Sequence, residues 1–271
     1  MKALIIGAGV VGDATGYALQ RRGWDVVWHD PPKALTGSTL GVRVALLCVP
    51  TPVAADGSCD TSIIERSMEW LRSCGYKGAV GIRSTVIMGT GDRIAAAYPE
   101  MQVFSWPEFL RDRNAREMAA EPAYMVVGID TVGPDRPLRG DVLAALLGED
   151  NLKKTPTIIC TRAGAEFAKY ATNCLLAASV GVANELAGIA ATYGLDWNAL
   201  LPPLLPEDTV LPRNIVVTPE GGYGGKCLPK DVSAFCALHG PEVAPLLNLV
   251  HTANLARRPE EYPAELKQGG K

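Results

Sequence analysis

The stretch GGYGGKCLPKD, residues 221–231, sets Cys227 between four glycines and two lysines, with Asp231 closing the run. A structural cysteine sits among apolar neighbours. This one sits where backbone can come close to a ligand and where Lys226 or Lys230 can raise the thiolate fraction. The chemistry it points to is attack by sulfur on an electrophilic carbon. A second set lies upstream: Glu166, Lys169, Asn173 and Asn184, spaced by 3, 4 and 11 residues, fall on one face of a largely apolar stretch. A buried lysine needs a partner, and for Lys169 alone a structural salt bridge is the simpler reading. With Asn173 one turn later and Cys227 downstream, a role in a reacting site is the expectation.

A third set binds rather than reacts. Gly7, Gly9 and Gly12 follow the short apolar run Ala3–Ile6 in the spacing G-x-G-x-x-G and open a helical pattern that ends at Gly23. Such glycines serve a tight turn, close approach to a pyrophosphate, and helix-on-strand packing. Asp30 ends the next strand, 18 residues after Gly12, where a carboxylate takes ribose hydroxyls and repels a 2′-phosphate. NAD is therefore expected over NADP, held by Gly7, Gly9, Val10, Val11, Gly12 and Asp30.

The elements that must position these sets alternate. After DVVWHD come a strand over VRVALLCVP, a helix over DTSIIERSMEWLRSCG, a strand over GAVGIRSTV and a helix over MGTGDRIAAAYP. Strands over MQVFSW and AYMVVGID and a helix over RPLRGDVLAALLGED follow. This is the pattern of an α/β, Rossmann-like, doubly wound parallel sheet, with CVPTP, RSTV and SWPEFLRD at the carboxyl ends of its strands. From Thr161 the periodicity becomes helical, and one long helix ends at Gly194. The division expected is a dinucleotide-binding domain over 1–158 and a mainly α-helical domain over 159–271.

The 271 residues are 48% hydrophobic and 20% charged with a net charge of −3, which leaves no basic stripe for nucleic acid. Seven cysteines without a C-x-x-C pair give no zinc motif and point to a reducing, cytoplasmic setting. Asn184 and Glu185 interrupt the longest apolar run, so it reads as a buried helix and not a membrane span. The tail from Arg257 is polar and Pro/Gly-punctuated and is expected to fray. His29, His239 and His251 form no motif, and His29 is expected to fill space beside Asp30.

GAGVVG, CVPTP, RSTV, PEFLR, AEFAKYATN followed by NELA, and GGYGGKCLPKD occur in an order that resembles the UDP-glucose/GDP-mannose dehydrogenases. The resemblance implies NAD-dependent oxidation of a nucleotide sugar's primary alcohol to a carboxylate, with two NAD reduced. It implies Cys227 as the nucleophile of a thiohemiacetal and then a thioester, and Lys169 as the oxyanion's partner. Asn173 and Asp231 would hold a water or the substrate hydroxyl, Thr85 would join that network, and Glu108 would serve thioester formation or hydrolysis. Lys33, Pro50, Thr51 and Thr85 would add to the cofactor contacts. Phe109, Leu110, Tyr223, Gly224 and Gly225 would line the substrate with Glu108, Lys169 and Asn173. A homodimer through the long helix is also implied, and its many Ala and Gly residues suit close packing.

The chain departs from that pattern. A third, nucleotide-holding region is not expected after the central helices. Trp106 stands where a small polar residue is preferred, Asp112 where glutamate is, and Tyr124 where arginine is common. About a dozen residues join Asp30 to the strand near Val42, too few for a crossover helix. Two other readings keep the same motifs: a two-electron hydroxyacid or alcohol dehydrogenase that leaves Cys227 idle, and a non-catalytic NAD-binding protein.

Overall fold

The computed structural model describes residues 1–129, 140–200, 218, 221–225 and 227–262. The chain forms two compact units: Met1–Thr51 with Asp60–Lys169, and Pro52–Cys59 with Tyr170–Lys271. The eight-residue strap Pro52–Cys59 thus leaves the first unit, belongs to the second, and returns.

The first unit is a seven-stranded sheet. Its strands are β1 (Lys2–Ile6), β2 (Asp25–His29), β3 (Val44–Leu47), β4 (Ala79–Ile82), β5 (Gln102–Ser105), β6 (Met125–Gly128) and β7 (Thr157–Cys160), in spatial order β2-β1-β3-β4-β5-β6-β7. The reversal of order at β1 is the switch point beside which doubly wound sheets bind ligands. The helices are α1 (Val10–Arg21), α2 (Ser62–Ser73), α3 (Thr90–Ala97), the short α4 (Ala115–Ala120), α5 (Gly140–Leu147) and α6 (Glu149–Lys154). The strands β1, β3 and β4 are buried along almost their whole length, as expected of parallel strands covered on both faces. One core cluster gathers Ile5, Leu19, Leu46 and Phe104, and the other gathers Leu4, Leu47, Ile64 and Met68.

The sheet corrects the all-parallel expectation at one join. β6 runs antiparallel to β5, paired only at Ser105 and Gly128. The connection between them is loop plus the six-residue α4, and an antiparallel neighbour needs no full crossover helix. β7 lies where the sequence pattern gives no strand; it pairs parallel with β6 at the sheet's edge and exposes Ile158 and Ile159. Between β2 and β3 there is only a single 3₁₀ turn, Pro31–Lys33, in keeping with the short linker. The first four residues of the helix expected over RPLRGDVLAALLGED, 136–139, lie outside the described residues.

The second unit is built on α7 (Arg162–Thr192), whose first turns belong to the first unit. Gly194 follows with φ 67°, a left-handed position that ends the helix. The remaining helices are α8 (Trp197–Leu200), α9 (Leu228–Val243) and α10 (Pro245–Arg257). Cys174, Ala177 and Val180 of α7 pack with Val232 and Cys236 of α9 in its core. α7 is long and apolar enough to cross a membrane by length and composition. Yet it buries Glu166, Lys169, Asn173 and Asn184, all with partners inside the protein. The start of the tail is more ordered than expected, because Pro259–Glu261 form a 3₁₀ turn and Tyr262 is buried. Residues 263–271 lie outside the described ones.

Candidate active site

The glycine run at the head of α1 divides its labour. Gly7 has φ 95°, and a Cβ there would meet the Cys48 carbonyl oxygen at 2.5 Å. A Cβ on Gly12 would fall 1.9 Å from the Gly7 carbonyl oxygen. Gly9, the N-cap of α1, has nothing within 4 Å of that position. Two glycines therefore hold the turn against the sheet, and the third leaves an open face at a helix N-terminus, where phosphates bind. Val10 is exposed beside it, and Val11 is half-buried.

Asp30 Oδ2 accepts the Ala8 N–H at 2.8 Å, and Lys33 Nζ donates to the Ala8 carbonyl. These two residues clip the glycine turn to the end of β2. A cavity of about 610 Å³ opens here, lined in part by Gly9, Asp30, Lys33 and Pro50. Its far wall is Trp70 of α2, on which His29 stacks with ring centroids 3.7 Å apart. His29 does more than fill space beside Asp30, and its Nδ1 is buried without a hydrogen-bond partner. Burial holds the His29 pKa below its ordinary value, against the opposing pull of Asp30. The open glycine, the carboxylate and the largely apolar cavity suit a dinucleotide's pyrophosphate, ribose and base. Trp70 and Arg66, which also line it, carry no motif that sequence reading could have found.

Deeper in the first unit, Thr51 Oγ1 donates to the Thr85 carbonyl at 2.6 Å, which ties the exit of β3 to that of β4. At the exit of β5, Lys169 Nζ lies 3.1 Å from Glu108 Oε1, and both side chains are less than a tenth exposed. The other oxygen, Oε2, accepts the Leu110 N–H at 2.6 Å. The ammonium also lies 5.5 Å from the centre of the Phe109 ring. Two of the three departures make aromatic contacts: Arg83 lies over Trp106 at 4.1 Å, and Tyr124, just before β6, meets Phe109 at 4.8 Å. Glu166, one turn before Lys169, has a different duty. Its carboxylate takes the Gly89 and Gly91 N–H groups and the Ser105 hydroxyl, fastening the start of α3.

In the second unit, Asn173 Nδ2 donates to Asp231 Oδ2 at 2.6 Å, and Asp231 is fully buried. Lys230 pairs with the other oxygen of Asp231. Lys226 lies outside the described residues. Cys227 is exposed and occupies the N-cap of α9, where the helix dipole favours an anion. Its carbonyl accepts the Asp231 N–H at 2.9 Å. Tyr223 is buried, Gly224 half-buried and Gly225 exposed. By contrast Cys48 and Cys174 are buried thiols whose pKa values burial pushes up to about 12.

Two family models match the chain. The NAD binding domain of the UDP-glucose/GDP-mannose dehydrogenase family matches residues 36–136, and the central domain of the same family matches residues 163–255. A putative UDP-glucose 6-dehydrogenase, YtcA of Bacillus subtilis, is 33% identical over 204 residues, covering 70% of this chain and 45% of its own length. GDP-mannose 6-dehydrogenase of Azotobacter vinelandii is 29% identical over 256 residues, covering 88% of this chain and 56% of its own. The chain thus spans about half the length of the curated relatives it matches. GDP-mannose dehydrogenase of Pseudomonas aeruginosa, solved as a ternary complex, superposes with a TM-score of 0.66 and 26% identity over 96% of this chain and 70% of that one. With two domain models of one family matching in order, the chain belongs to the UDP-glucose/GDP-mannose dehydrogenase family.

Proposed function

We propose that the protein is an NAD-dependent oxidoreductase that converts the primary alcohol of a nucleotide sugar to a carboxylate, with Cys227 as nucleophile. NAD supplies the acceptor for two successive hydrides. Between them the Cys227 sulfur adds to the aldehyde carbon, giving a thiohemiacetal. Loss of the second hydride makes a thioester, and water cleaves it to the acid and the free thiol. Per sugar this consumes two NAD and one water and releases two NADH and three protons. Lys169 is positioned by Glu108 to face developing negative charge, a role worth a few kcal/mol in a dry site. Asn173 and Asp231 hold the hydroxyl or the attacking water. Thr85 completes the polar lining, and Phe109, Leu110, Tyr223, Gly224 and Gly225 border the sugar.

The observation that carries this reading is the polar stripe of α7: Lys169 buried against Glu108, and Asn173 four residues on, buried against Asp231. Two buried carboxylates, each taken up by a side chain of one helix in an otherwise apolar segment, are costly as pure structure. The test is NADH formation with UDP-glucose, GDP-mannose and UDP-N-acetyl sugars. Two NADH per sugar, lost in Cys227→Ser while NAD still binds, is the expected result. One NADH with an aldehyde product would move the protein to the two-electron class. NAD binding without turnover on any of these sugars would make it a binding protein.

The same reading includes a homodimer. Leu175, Val182, Leu186 and Ile189 are exposed on α7 at spacings of 7, 4 and 3 residues, with Tyr193 exposed just past its end, a seam suited to a second copy of the helix. A cytoplasmic setting fits the seven cysteines, none of which forms a disulfide.

A further inference from the structure

The four glycines before Cys227 are held for two different reasons. Gly221 and Gly225 have φ of 78° and 84°, with open space where a side chain would go. Gly222 and Gly224 are crowded by the protein itself. A Cβ on Gly222 would lie 2.4 Å from Asn254 Oδ1, and one on Gly224 would lie 2.3 Å from Arg258 Nη1 and 2.5 Å from Glu261 Oε1. Close approach by a ligand therefore does not account for these two.

Asn254, in α10, is only 3% exposed and grips Tyr223 on both sides of its backbone. Its Oδ1 accepts the Tyr223 N–H and its Nδ2 donates to the Tyr223 carbonyl, each at 2.9 Å. The second Nδ2 hydrogen goes to Tyr262 Oη at 2.9 Å. The carboxamide thus acts as one rung of a β-ladder, with every polar atom satisfied. Arg258 adds a weaker bond to the Gly222 carbonyl and is itself fixed by Glu261 at 2.6 Å. On the loop's other flank, Asn184 Oδ1 takes the Thr218 N–H, and Thr218 bonds to Gly222.

We propose that Asn254, backed by the Arg258–Glu261 pair, is a positioning residue for Cys227: it clasps the Tyr223 backbone and so fixes where the glycine loop delivers the thiol. Four residues separate Tyr223 from the first residue of α9, which is anchored in the core by Val232 and Cys236. With both ends of that short segment held, Cys227 stays at the N-terminus of α9. The proposal rests on the nucleophile reading, but its deciding measurement, the alkylation profile, does not need substrate.

The measurement is alkylation of Cys227 by iodoacetamide across pH, followed by mass spectrometry of its peptide, in the full chain and in Asn254→Ala and Arg258→Met. A loosened loop gives up the helix terminus, so the midpoint of the pH profile should rise in Asn254→Ala. NADH production should fall by about tenfold or more, as expected of a misplaced reacting group. NAD affinity should stay within about twofold, since a ΔΔG below 0.4 kcal/mol is expected of a remote site. Arg258→Met should show the same changes more weakly. A variant that folds and binds NAD, yet alkylates with the wild-type profile, overturns the proposal. So does loss of fold in both variants, because the clasp is then scaffolding for the whole unit. If Cys227→Ser turns over normally the functional reading fails, while the alkylation profile still reports on the clasp.

Discussion

Lys169 and Glu108 form an ion pair of 3.1 Å that is buried on both sides, and the second oxygen of Glu108 is already committed to the Leu110 N–H. Neither charge can be removed without leaving the other stranded. Lys169→Ala should therefore cost about 3–5 kcal/mol of stability by chemical denaturation. A double variant, Lys169→Met with Glu108→Leu, should recover most of that stability and still make no NADH. A double variant as unstable as the single one would show that the pair is not the source of the loss.

The glycine turn separates folding from binding. Gly12→Ala places a methyl group 1.9 Å from a backbone oxygen and should unfold the first unit or cost several kcal/mol. Gly9→Ala meets nothing and should change the melting temperature little, yet it should weaken NAD binding at least tenfold by calorimetry. Equal NAD affinity in Gly9→Ala would place the pyrophosphate elsewhere.

Asp30 supports the loop with one oxygen, and on the proposed reading the other is left to select the cofactor. Its Oδ2 holds the Ala8 N–H, while Oδ1 accepts no hydrogen bond among the described residues. Asp30→Asn keeps an oxygen for Ala8 and removes the negative charge. It should lower NAD affinity by about 1–2 kcal/mol and narrow the preference over NADP. Fluorescence titration with both nucleotides decides this.

Acid should weaken the first unit through His29. Its pKa in the folded protein is depressed by burial, so the unfolded chain takes up the proton first. Stability contributed by the neutral ring is complete above about pH 6.5 and is lost as pH falls below it. His251 of the second unit is depressed by burial too and acts in the same direction. His29→Phe, which can keep the stack on Trp70, should flatten part of the fall between about pH 6.5 and 5 in urea titrations.

The exposed seam of α7 predicts association. Leu186→Glu together with Ile189→Lys should leave fold and NAD binding intact and convert a dimer to a monomer by light scattering. A monomeric wild-type protein would remove the seam from the functional account.

Much of the first unit is legible in its residues because local chemistry and tertiary role coincide. Gly7 and Gly12 each meet a distinct steric demand while Gly9 leaves an open face, and β1, β3 and β4 are continuous apolar runs because both faces are covered. β7 is not legible: it is four residues long, lies at an edge, and follows Pro156 without alternation. The reversal of β6 is invisible because it rests on one backbone pairing with β5. In the site, the stripe of α7 can be read from helical spacing, whereas the different duties of Glu166 and Lys169 cannot. Glu166 caps a helix start 75 residues upstream, and nothing local distinguishes that from a role with a substrate. Asn254 is hidden for the same reason, since its partner Tyr223 is 31 residues away.

The strap Pro52–Cys59 is a loan from one half of the chain to the other, with Ser233 Oγ donating to the Gly57 carbonyl. Cutting the gene at a single point between the halves would strand those eight residues without their docking surface. Neither half can then be traded as a cassette with another member of the family: a chimaera that exchanges only residues after 169 must also inherit the strap, or forfeit the bond between Ser233 and Gly57.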